Sequence, residues 1–489
     1  MKWRWPDLLF VGIAALALIL ALGFHADPVI VDALAGKDVP GYGISISPWR
    51  TLFEPLLGPL LFLLRGERTL VSFIMLLAWI ALCWLVCCLA GGMVAGNGFL
   101  EGAREGSGRW MLGMPLLTGT WLAMMWFVIL TPLPSNTILN LAEQNILVNT
   151  HAHTDRGQDG IITPDGLHRW HRHNGFDAYF LTEHDTHVRS LETVMAQQSG
   201  KIPGEPLILC GEEYSGTNDM TLLGVDGSFS TAGKRDREVI ELTHRAGGVV
   251  IVAHWFEQER ESVPYYVDLG VDGFEIANQA VGNYDRHVFL EISRACSAHG
   301  LIMNGSVDNH GYGITCGVWT ALKVPGWKSM DPGQRREAVM EVLRAKDQGR
   351  IGVLLYRDRP DQRGVPAAVL PLVSLVHYFR SLNGWQLLSW LLWLFIVRNL
   401  AVIASGERKW RIGLEGPPRM IAAGLAGVSA ALYMIVLGIV FHTRALGPEG
   451  YEGVYNRYSL FLLVTGSVLL LWVIFLAWLG RRKRLAAGD

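Results

Sequence analysis

Long apolar segments lie on both sides of a polar middle in this chain of 489 residues. An apolar helix needs roughly 20 residues to cross a bilayer, and each long segment approaches or exceeds that length. The pattern therefore predicts six membrane spans, three before and three after the middle, at 7–24, 70–95, 110–133, 385–404, 419–442 and 457–480.

Two shorter apolar runs, 52–64 and 366–379, contain prolines, and the first also contains Glu54. Runs of this length and composition are typical of interfacial or re-entrant segments. The pattern divides the chain into an N-terminal membrane region at 1–133, a polar middle at 134–365 and a C-terminal membrane region at 366–489.

Basic residues in the short loops predict the orientation, because Lys and Arg accumulate on the cytoplasmic side. They are Lys2, Arg4, Arg408, Lys409, Arg411, Arg419 and the segment 481–484. Both termini are therefore expected in the cytoplasm, and the polar middle on the periplasmic side of a bacterial inner membrane. If both short runs also span, the middle lies in the cytoplasm instead.

The polar middle alternates short apolar strands with helical patterns, which is typical of an α/β fold with a parallel sheet closed as a barrel. One predicted helix has Thr163 as its cap, Pro164 in its first turn and Asn174–Gly175 as its end. The strand candidates are 146–150, 176–182, 206–210, 247–253, 272–278 and 300–304.

Metal-ligating residue types follow five of these strands. They are His151 and His153, then His184, then Glu213, then His254, and finally Asp308 and His310. The carboxyl ends of parallel barrel strands meet at one face, where active sites are built. Imidazole and carboxylate groups suit zinc, manganese or iron, so the pattern predicts a site for divalent metal ions.

Charge and cysteine content exclude some classes of protein. The formal net charge of −2 provides no basic excess, which argues against nucleic acid as a partner. The six cysteines form neither a disulfide framework nor a zinc ribbon.

The polar middle resembles the PHP (polymerase and histidinol phosphatase) superfamily over about 145–355. The resemblance lies in six motifs that occur in the family's order: THAHT, QDG, LTEHD, CGEEY, VAHW and GSVDNHG. It implies a distorted (β/α)7 barrel, two or three divalent metal ions (Mn, Zn or Fe) and phosphoesterase activity. The chain would thus be a PHP-like barrel inserted between two sets of transmembrane α-helices.

The resemblance also implies a catalytic ligand set. His151, His153, Glu213 and Asp308 would hold the first metal, with Glu213 as the bridge. Asp159, His184 and His310 would hold the second, and His254 with Glu213 the third. Glu275 and Glu183 would orient ligands, the latter His184.

The chain departs from the family pattern in two places. Asp159 is one residue further from His153 than is usual. Thr221 occupies the position of a usual third-metal histidine, and Asp219 is near enough to substitute for it. Outside the motifs, His187 and Arg156 are weaker candidates for phosphate contacts, and His168, His171 and His173 are expected on a solvated helix face.

These features favour a membrane-integrated, metal-dependent hydrolase of phosphoric esters, either a phosphatase or a phosphodiesterase. The expected partners are membrane lipids and a phosphorylated small-molecule or lipid-linked substrate. Two alternatives stay open. One is a metal-binding sensor or transporter-associated domain without hydrolysis, and the other is a PHP-type nuclease. The sequence does not determine the oligomeric state.

Overall fold

A computed structural model defines most of the chain. The described residues are 5–66, 68–94, 99–157, 159–258, 260–280, 286–311, 315–405, 417–446 and 452–487. Gln158 of the QDG motif and the basic residues Lys2, Arg4, Arg408, Lys409 and Arg411, which were used to predict orientation, lie outside the described residues.

Helices occupy both ends of the chain and also alternate with strands in its middle. They are α1 Trp5–Leu18, α2 Pro48–Leu52, α3 Glu54–Leu64, α4 Thr69–Val94, α5 Phe99–Leu130, α6 Pro164–His173, α7 Val188–Gln198, α8 Asp236–Arg245, α9 Trp255–Gln258, α10 Val263–Leu269, α11 Arg286–His299, α12 Pro332–Arg344, α13 Leu370–Arg380, α14 Gly384–Ser405, α15 Pro417–Ala445 and α16 Glu452–Ala487. A π-helical turn, Ile19–Gly23, continues α1.

The strands form one large sheet and one small one. They are β1 Val29–Asp32, β2 Lys37–Asp38, β3 Tyr42–Ser45, β4 Thr137–Asn140, β5 Asn145–Asn149, β6 Ala178–Leu181, β7 Leu207–Ser215, β8 Asp219–Leu223, β9 Val249–Val252, β10 Gly273–Asn278, β11 Ile302–Ser306, β12 Val318–Lys323 and β13 Ile351–Arg357. Among the described residues the large sheet has 11 strands in the order β11-β10-β9-β8-β7-β6-β5-β12-β13-β1-β2, and β3 pairs with β4. All six predicted strands are confirmed, as β5, β6, β7, β9, β10 and β11.

The prediction of a parallel sheet is confirmed for only part of the sheet. β5, β6 and β7 are parallel, as are β9, β10 and β11. β8 is antiparallel to both of its neighbours. For the pair with β7, the connecting residues 216–218 are too few for the crossover that a parallel pair requires. β12 and β13 also pair antiparallel. The protein is therefore a mixed α/β structure with a large sheet, and the closed (β/α)7 barrel stays a prediction.

The chain that follows β11 meets the chain that follows β5. Ala152 and Asn309 form an isolated parallel bridge. The backbone N–H of Asp308 donates to the carbonyl of His151 over 2.9 Å, and that of His153 donates to Asn309 over 3.1 Å. Because the two strands are far apart in the sheet order, these bonds require the sheet to curl until the candidate ligands stand side by side.

Four segments of the described helices are long and apolar enough to cross a membrane, judged by length and composition. They are Thr69–Ala90, Gly106–Leu130, Ala423–Ala445 and Val454–Arg482, and they match four of the predicted spans. The other two predicted spans coincide with α1 and its π-helical continuation and with α14. These two helices contact each other.

The two short apolar runs are helical and pack together around Glu54, which is fully buried. Its carboxylate accepts hydrogen bonds from the Tyr378 hydroxyl at 2.8 Å and Gln386 Nε2 at 3.0 Å. Arg50 lies 3.2 Å away and supplies the opposite charge. Pairing of this kind is what permits a carboxylate inside an apolar cluster.

Helix α6 has the predicted cap, because Thr163 accepts a hydrogen bond from the Gly166 backbone. The expectation of a solvated histidine face is wrong for His168 and His171, which are buried. His171 lies between the Leu167 carbonyl and Asn149 Nδ2, at 2.9 Å from each. Only a neutral ring with its proton on Nδ1 satisfies both contacts, and burial lowers the pKa of His171 to about 3.

This neutral histidine predicts a loss of stability in acid. The pKa of His171 is about 3 in the folded chain, against 6.5 for an ordinary histidine, so only the unfolded state gains its proton between these values. Stability should therefore fall below pH 6.5 by about 1.4 kcal/mol per pH unit. Unfolding in detergent at pH 7.5 and 5.5 should show a smaller acid response in His171→Gln than in wild type.

The difference between the two responses should be about 1.4 kcal/mol at pH 5.5. His299→Gln, which changes an exposed histidine on α11, should retain the wild-type response. Equal responses in wild type and His171→Gln would contradict a neutral His171.

Candidate metal centre

All eight predicted ligands lie together in the structure. Their side-chain nitrogen and oxygen atoms, with those of Asp219, form three groups, and the atoms within each group lie within 4.8 Å of one another. The groups are His151, His153, Glu213 and Asp308; His153, Asp159, His184 and His310; and Glu213, Asp219 and His254. Their role as metal ligands remains a prediction, but their convergence is a property of the fold.

Glu213 is at the centre of the cluster and is almost fully buried. Its Oε2 lies 3.0 Å from Nε2 of both His151 and His153 and 3.3 Å from Nδ1 of His184. Its Oε1 lies 3.1 Å from Nε2 of His254. One carboxylate therefore contacts four imidazoles that come from three other strand ends, the geometry that a bridging ligand requires.

Two aspartates extend the cluster on either side of His310. Asp308 Oδ1 lies 3.3 Å from His310 Nδ1 and 3.3 Å from His153 Nε2. Asp159 Oδ2 lies 3.1 Å from His310 Nε2 and 3.3 Å from His184 Nε2. The extra residue before Asp159 thus does not keep its carboxylate from the site.

The cluster fits metal ions because several of its buried atoms lack a hydrogen bond. Among the described residues, His151 Nε2, both ring nitrogens of His153 and Asp308 Oδ1 make no hydrogen bond of suitable geometry, although Nε2 of both histidines lies 3.0 Å from Glu213 Oε2. Buried polar atoms are almost always paired in native proteins. Imidazole nitrogen and carboxylate oxygen are the atoms that zinc, manganese and iron bind, so the residues present fit one or more of these ions.

The electrostatics of the cluster couple metal binding to protons. Burial raises the pKa of Glu213, but the charge of His151 and the hydrogen bonds from His151, His153 and His254 together outweigh it and lower that pKa well below its usual value. Burial lowers the pKa of His254, but its contacts with Glu213 and Glu257 raise it to about 11. A metal ion must displace such protons from the imidazoles, so binding tightens as pH rises.

Two of the candidate ligands have an unusual backbone. His254 has φ 24° and Asp308 has φ 52°, values that residues with a Cβ rarely adopt. Such strain costs about 1–3 kcal/mol and persists where surrounding contacts enforce it, most often at functional sites. For His254 the enforcing contact is a hydrogen bond of 3.1 Å from its backbone N–H to Glu275.

Glu275 is fully buried and supports the ligand cluster through hydrogen bonds. Its Oε1 lies 3.1 Å from His151 Nδ1, and its Oε2 also accepts from Asn278 Nδ2 at 3.1 Å. Asn278 contacts Asp308 as well, at 3.2 Å. The sequence pattern indicated Glu275 but not Asn278. The position of Asn278 at the end of β10, where the other candidate residues also follow strands, could have indicated its place in the cluster.

Three weaker predictions have different outcomes. His187 does not face the cluster, because it is buried with its Nδ1 2.5 Å from Glu212, and Glu212 points to the opposite side of β7 from Glu213. Glu183 accepts hydrogen bonds from the backbone and hydroxyl of Thr154, and its predicted role in orienting His184 stays a prediction. The phosphate contact suggested for Arg156 stays a prediction.

The loop after His153 rests against the C-terminal helices. The Tyr455 hydroxyl donates to Asp155 over 3.0 Å, and Arg444 donates to the same hydroxyl over 3.1 Å. Ile161 of this loop packs in one apolar cluster with residues of α15 and α16, among them Phe441. The candidate metal centre therefore lies beside helices that are apolar enough to span a membrane.

No protein-family model matches the chain, and no curated protein matches it. Among solved structures it is similar to a two-domain protein of Bacteroides vulgatus containing a predicted PHP-like metal-dependent phosphoesterase, with 16% identity, a TM-score of 0.33 and coverage of 43% of this chain and 65% of that one. A candidate metal-dependent phosphoesterase of Bifidobacterium adolescentis has 18% identity, a TM-score of 0.28 and coverage of 34% and 88%. An amidohydrolase of Chromobacterium violaceum has 14% identity, a TM-score of 0.27 and coverage of 43% of this chain and 97% of that one. The chain thus spans less than two thirds of the first of these proteins.

Glu275 provides a test of the bracing contacts. Glu275→Ala leaves every predicted ligand in place but frees the His151 ring and the backbone of His254. Loss of such a supporting carboxylate usually weakens metal binding about 10–100-fold, which competition against a fluorescent zinc chelator would measure. Glu192→Ala, which removes a carboxylate exposed on α7, should bind zinc as wild type does. Equal affinity in all three proteins would show that Glu275 does not hold the ligands.

Proposed function

We propose that the protein is a membrane-integrated phosphoesterase that depends on two or three divalent metal ions. The observation that carries the proposal is the sharing of ligands between groups: His153 belongs to two of them and Glu213 to two. Shared ligands place neighbouring ions close together, as in two-metal phosphoesterases. The resemblance of the six motifs to the PHP superfamily supports the same function.

The proposed fold is a PHP-like barrel. Seven consecutive strands of the large sheet, β5 to β11, lie in sequence order, and the bridge between Ala152 and Asn309 joins the chain beyond the two outer ones. This contact supports closure of the sheet at its carboxyl end. β8 would then be the antiparallel member of the barrel.

The chemistry follows from the donor set. Bound metal ions would lower the pKa of a water and neutralise charge on a phosphoryl group. His151, His153, Glu213 and Asp308 would hold one ion, and Asp159, His184 and His310 a second. The protein's contribution is a buried, braced set of ligands, since Glu275 and Asn278 hold the cluster from behind.

Metal content and hydrolysis together test this function. Purified protein should contain about two or more divalent ions per chain and hydrolyse p-nitrophenyl phosphate or its bis ester. His151→Ala removes a ligand of the central group, so it should lose metal and at least about 100-fold in rate. His299→Ala should behave as wild type. Bound metal without hydrolysis of either ester would favour the sensor, and cleavage of DNA would favour the nuclease.

For the membrane topology we propose that the barrel lies on the periplasmic side and both termini in the cytoplasm. A variant without Cys83 and Cys87 would carry either Lys201→Cys, an exposed position after α7, or Arg482→Cys near the C-terminus. An impermeant thiol reagent should label the first in cells whose outer membrane alone is permeable, and the second only after lysis. If both cysteines are protected from the reagent until lysis, the barrel lies in the cytoplasm, as a topology of eight spans requires.

A further inference from the structure

A cavity of about 770 Å³ extends from the candidate metal centre to the apolar helices. Asp308 and His310 line one part of it, and Met125 and Ile129 of α5 line another. This volume lies in the range of pockets that enclose an organic ligand, about 300–1,000 Å³. The cavity is therefore much larger than a phosphate group needs.

Arginines outnumber carboxylates in the cavity wall. The described lining residues include Arg65, Arg68, Arg357, Arg359 and Arg363, against Asp308, Asp358 and Asp361. Arg65 and Arg359 share Asp358, at 3.4 and 2.7 Å. Arg363 is 2.6 Å from Asp361. These pairs neutralise only part of the positive charge.

Arg68 and Arg357 add further positive charge to the lining. Arg68 donates to the Val365 carbonyl over 2.7 Å. Neither arginine makes an ion pair with a described carboxylate. Guanidinium groups are suited to phosphate oxygens, because they offer several fixed donors and a permanent charge. This part of the cavity thus favours an anionic group in addition to the one at the metal centre.

Another part of the cavity lining is apolar and belongs to the helices on the membrane side. Its residues are Leu64 of α3, Leu70 of α4, Met125 and Ile129 of α5, and Leu370 of α13. Met125 and Ile129 lie within the span candidate Gly106–Leu130, and Leu70 within Thr69–Ala90. A small soluble phosphate ester would leave this wall uncovered.

We propose that the cavity binds an amphiphilic phosphate ester taken from the membrane, with its phosphate at the metal centre and its apolar chain along α4 and α5. The inference rests on the proposed phosphoesterase function and adds the substrate class. Each methylene buried against the apolar wall favours binding by about fourfold relative to water. The arginines would hold the polar part of the same molecule.

Alkyl esters of phosphate with the same head and different chains test the inference. The probes are ethyl, hexyl and decyl phosphate and the corresponding p-nitrophenyl alkyl phosphates, used below their micellar concentrations. In wild type, kcat/KM should rise at least about tenfold from the ethyl to the decyl ester. Met125→Trp should abolish this rise by filling the cavity, so that its kcat/KM for the decyl ester is no higher than its kcat/KM for the ethyl ester.

Met111→Trp is the matched control, because Met111 is exposed on the same helix and does not line the cavity. It should keep the wild-type dependence on chain length. Ile129→Trp is a second cavity variant and serves if Met125→Trp does not elute as a folded, metal-containing protein. Arg357→Gln should raise KM for decyl diphosphate, which carries a second anionic group, more than for decyl phosphate, whereas Arg237→Gln, at an exposed position of α8, should change neither.

Each outcome separates the two proposals. Hydrolysis of the ethyl ester with no dependence on chain length overturns the amphiphilic substrate and leaves the phosphoesterase intact. A chain-length effect that survives in both cavity variants places the chain elsewhere and also overturns the inference. Failure to hydrolyse any ester overturns the phosphoesterase and the inference with it.

Discussion

The buried carboxylate of Glu213 is the constraint on which the rest of the structure depends. Removing a carboxylate from water costs several kcal/mol unless opposite charge and hydrogen bonds replace the solvent. Here the replacement comes from four imidazoles, which lie after β5, β6 and β9. The ends of these strands must therefore meet at β7. Three features bring the strand ends together at this point. They are the curl of the sheet, the positive φ of His254 and Asp308, and the contacts of Glu275 with His151 and His254.

The local sequence was sufficient to predict this cluster, but not everything that surrounds it. Apolar strands followed by His, Glu or Asp predict both the elements and their meeting point, because strand ends share an edge. β8 was missed, since it follows β7 without an intervening helix and so breaks the alternation on which the prediction relied. β12 and β13, which pair antiparallel on either side of α12, were missed as well. The burial of His171 was missed because its partner, Asn149, is on another element.

Contacts between the sheet and the apolar helices were beyond any local pattern. They join residues that are hundreds of positions apart, such as Arg65 with Asp358 and Tyr455 with Asp155. Only the fold brings these pairs together, and around Arg65 it places charged and apolar residues in the lining of one cavity.

Thr221 and Asp219 lie on one strand, β8, opposite Glu213 and its neighbours in β7. In the register of β7 and β8, Glu213 faces Thr221 and Ser215 faces Asp219. Residues two apart point to the same side of a strand, so Asp219 shares the face of Thr221. Its carboxylate joins Glu213 and His254, and burial together with the charge of Glu213 raises its pKa.

Two carboxylates and one imidazole form a harder donor set than one containing a second histidine. Oxygen ligands favour manganese or magnesium over zinc. The mutual repulsion of Glu213 and Asp219 is relieved when a cation lies between them. Asp219 in place of a histidine would therefore change which metal the third group prefers, while leaving the nitrogen-rich groups around His153 suited to zinc or iron.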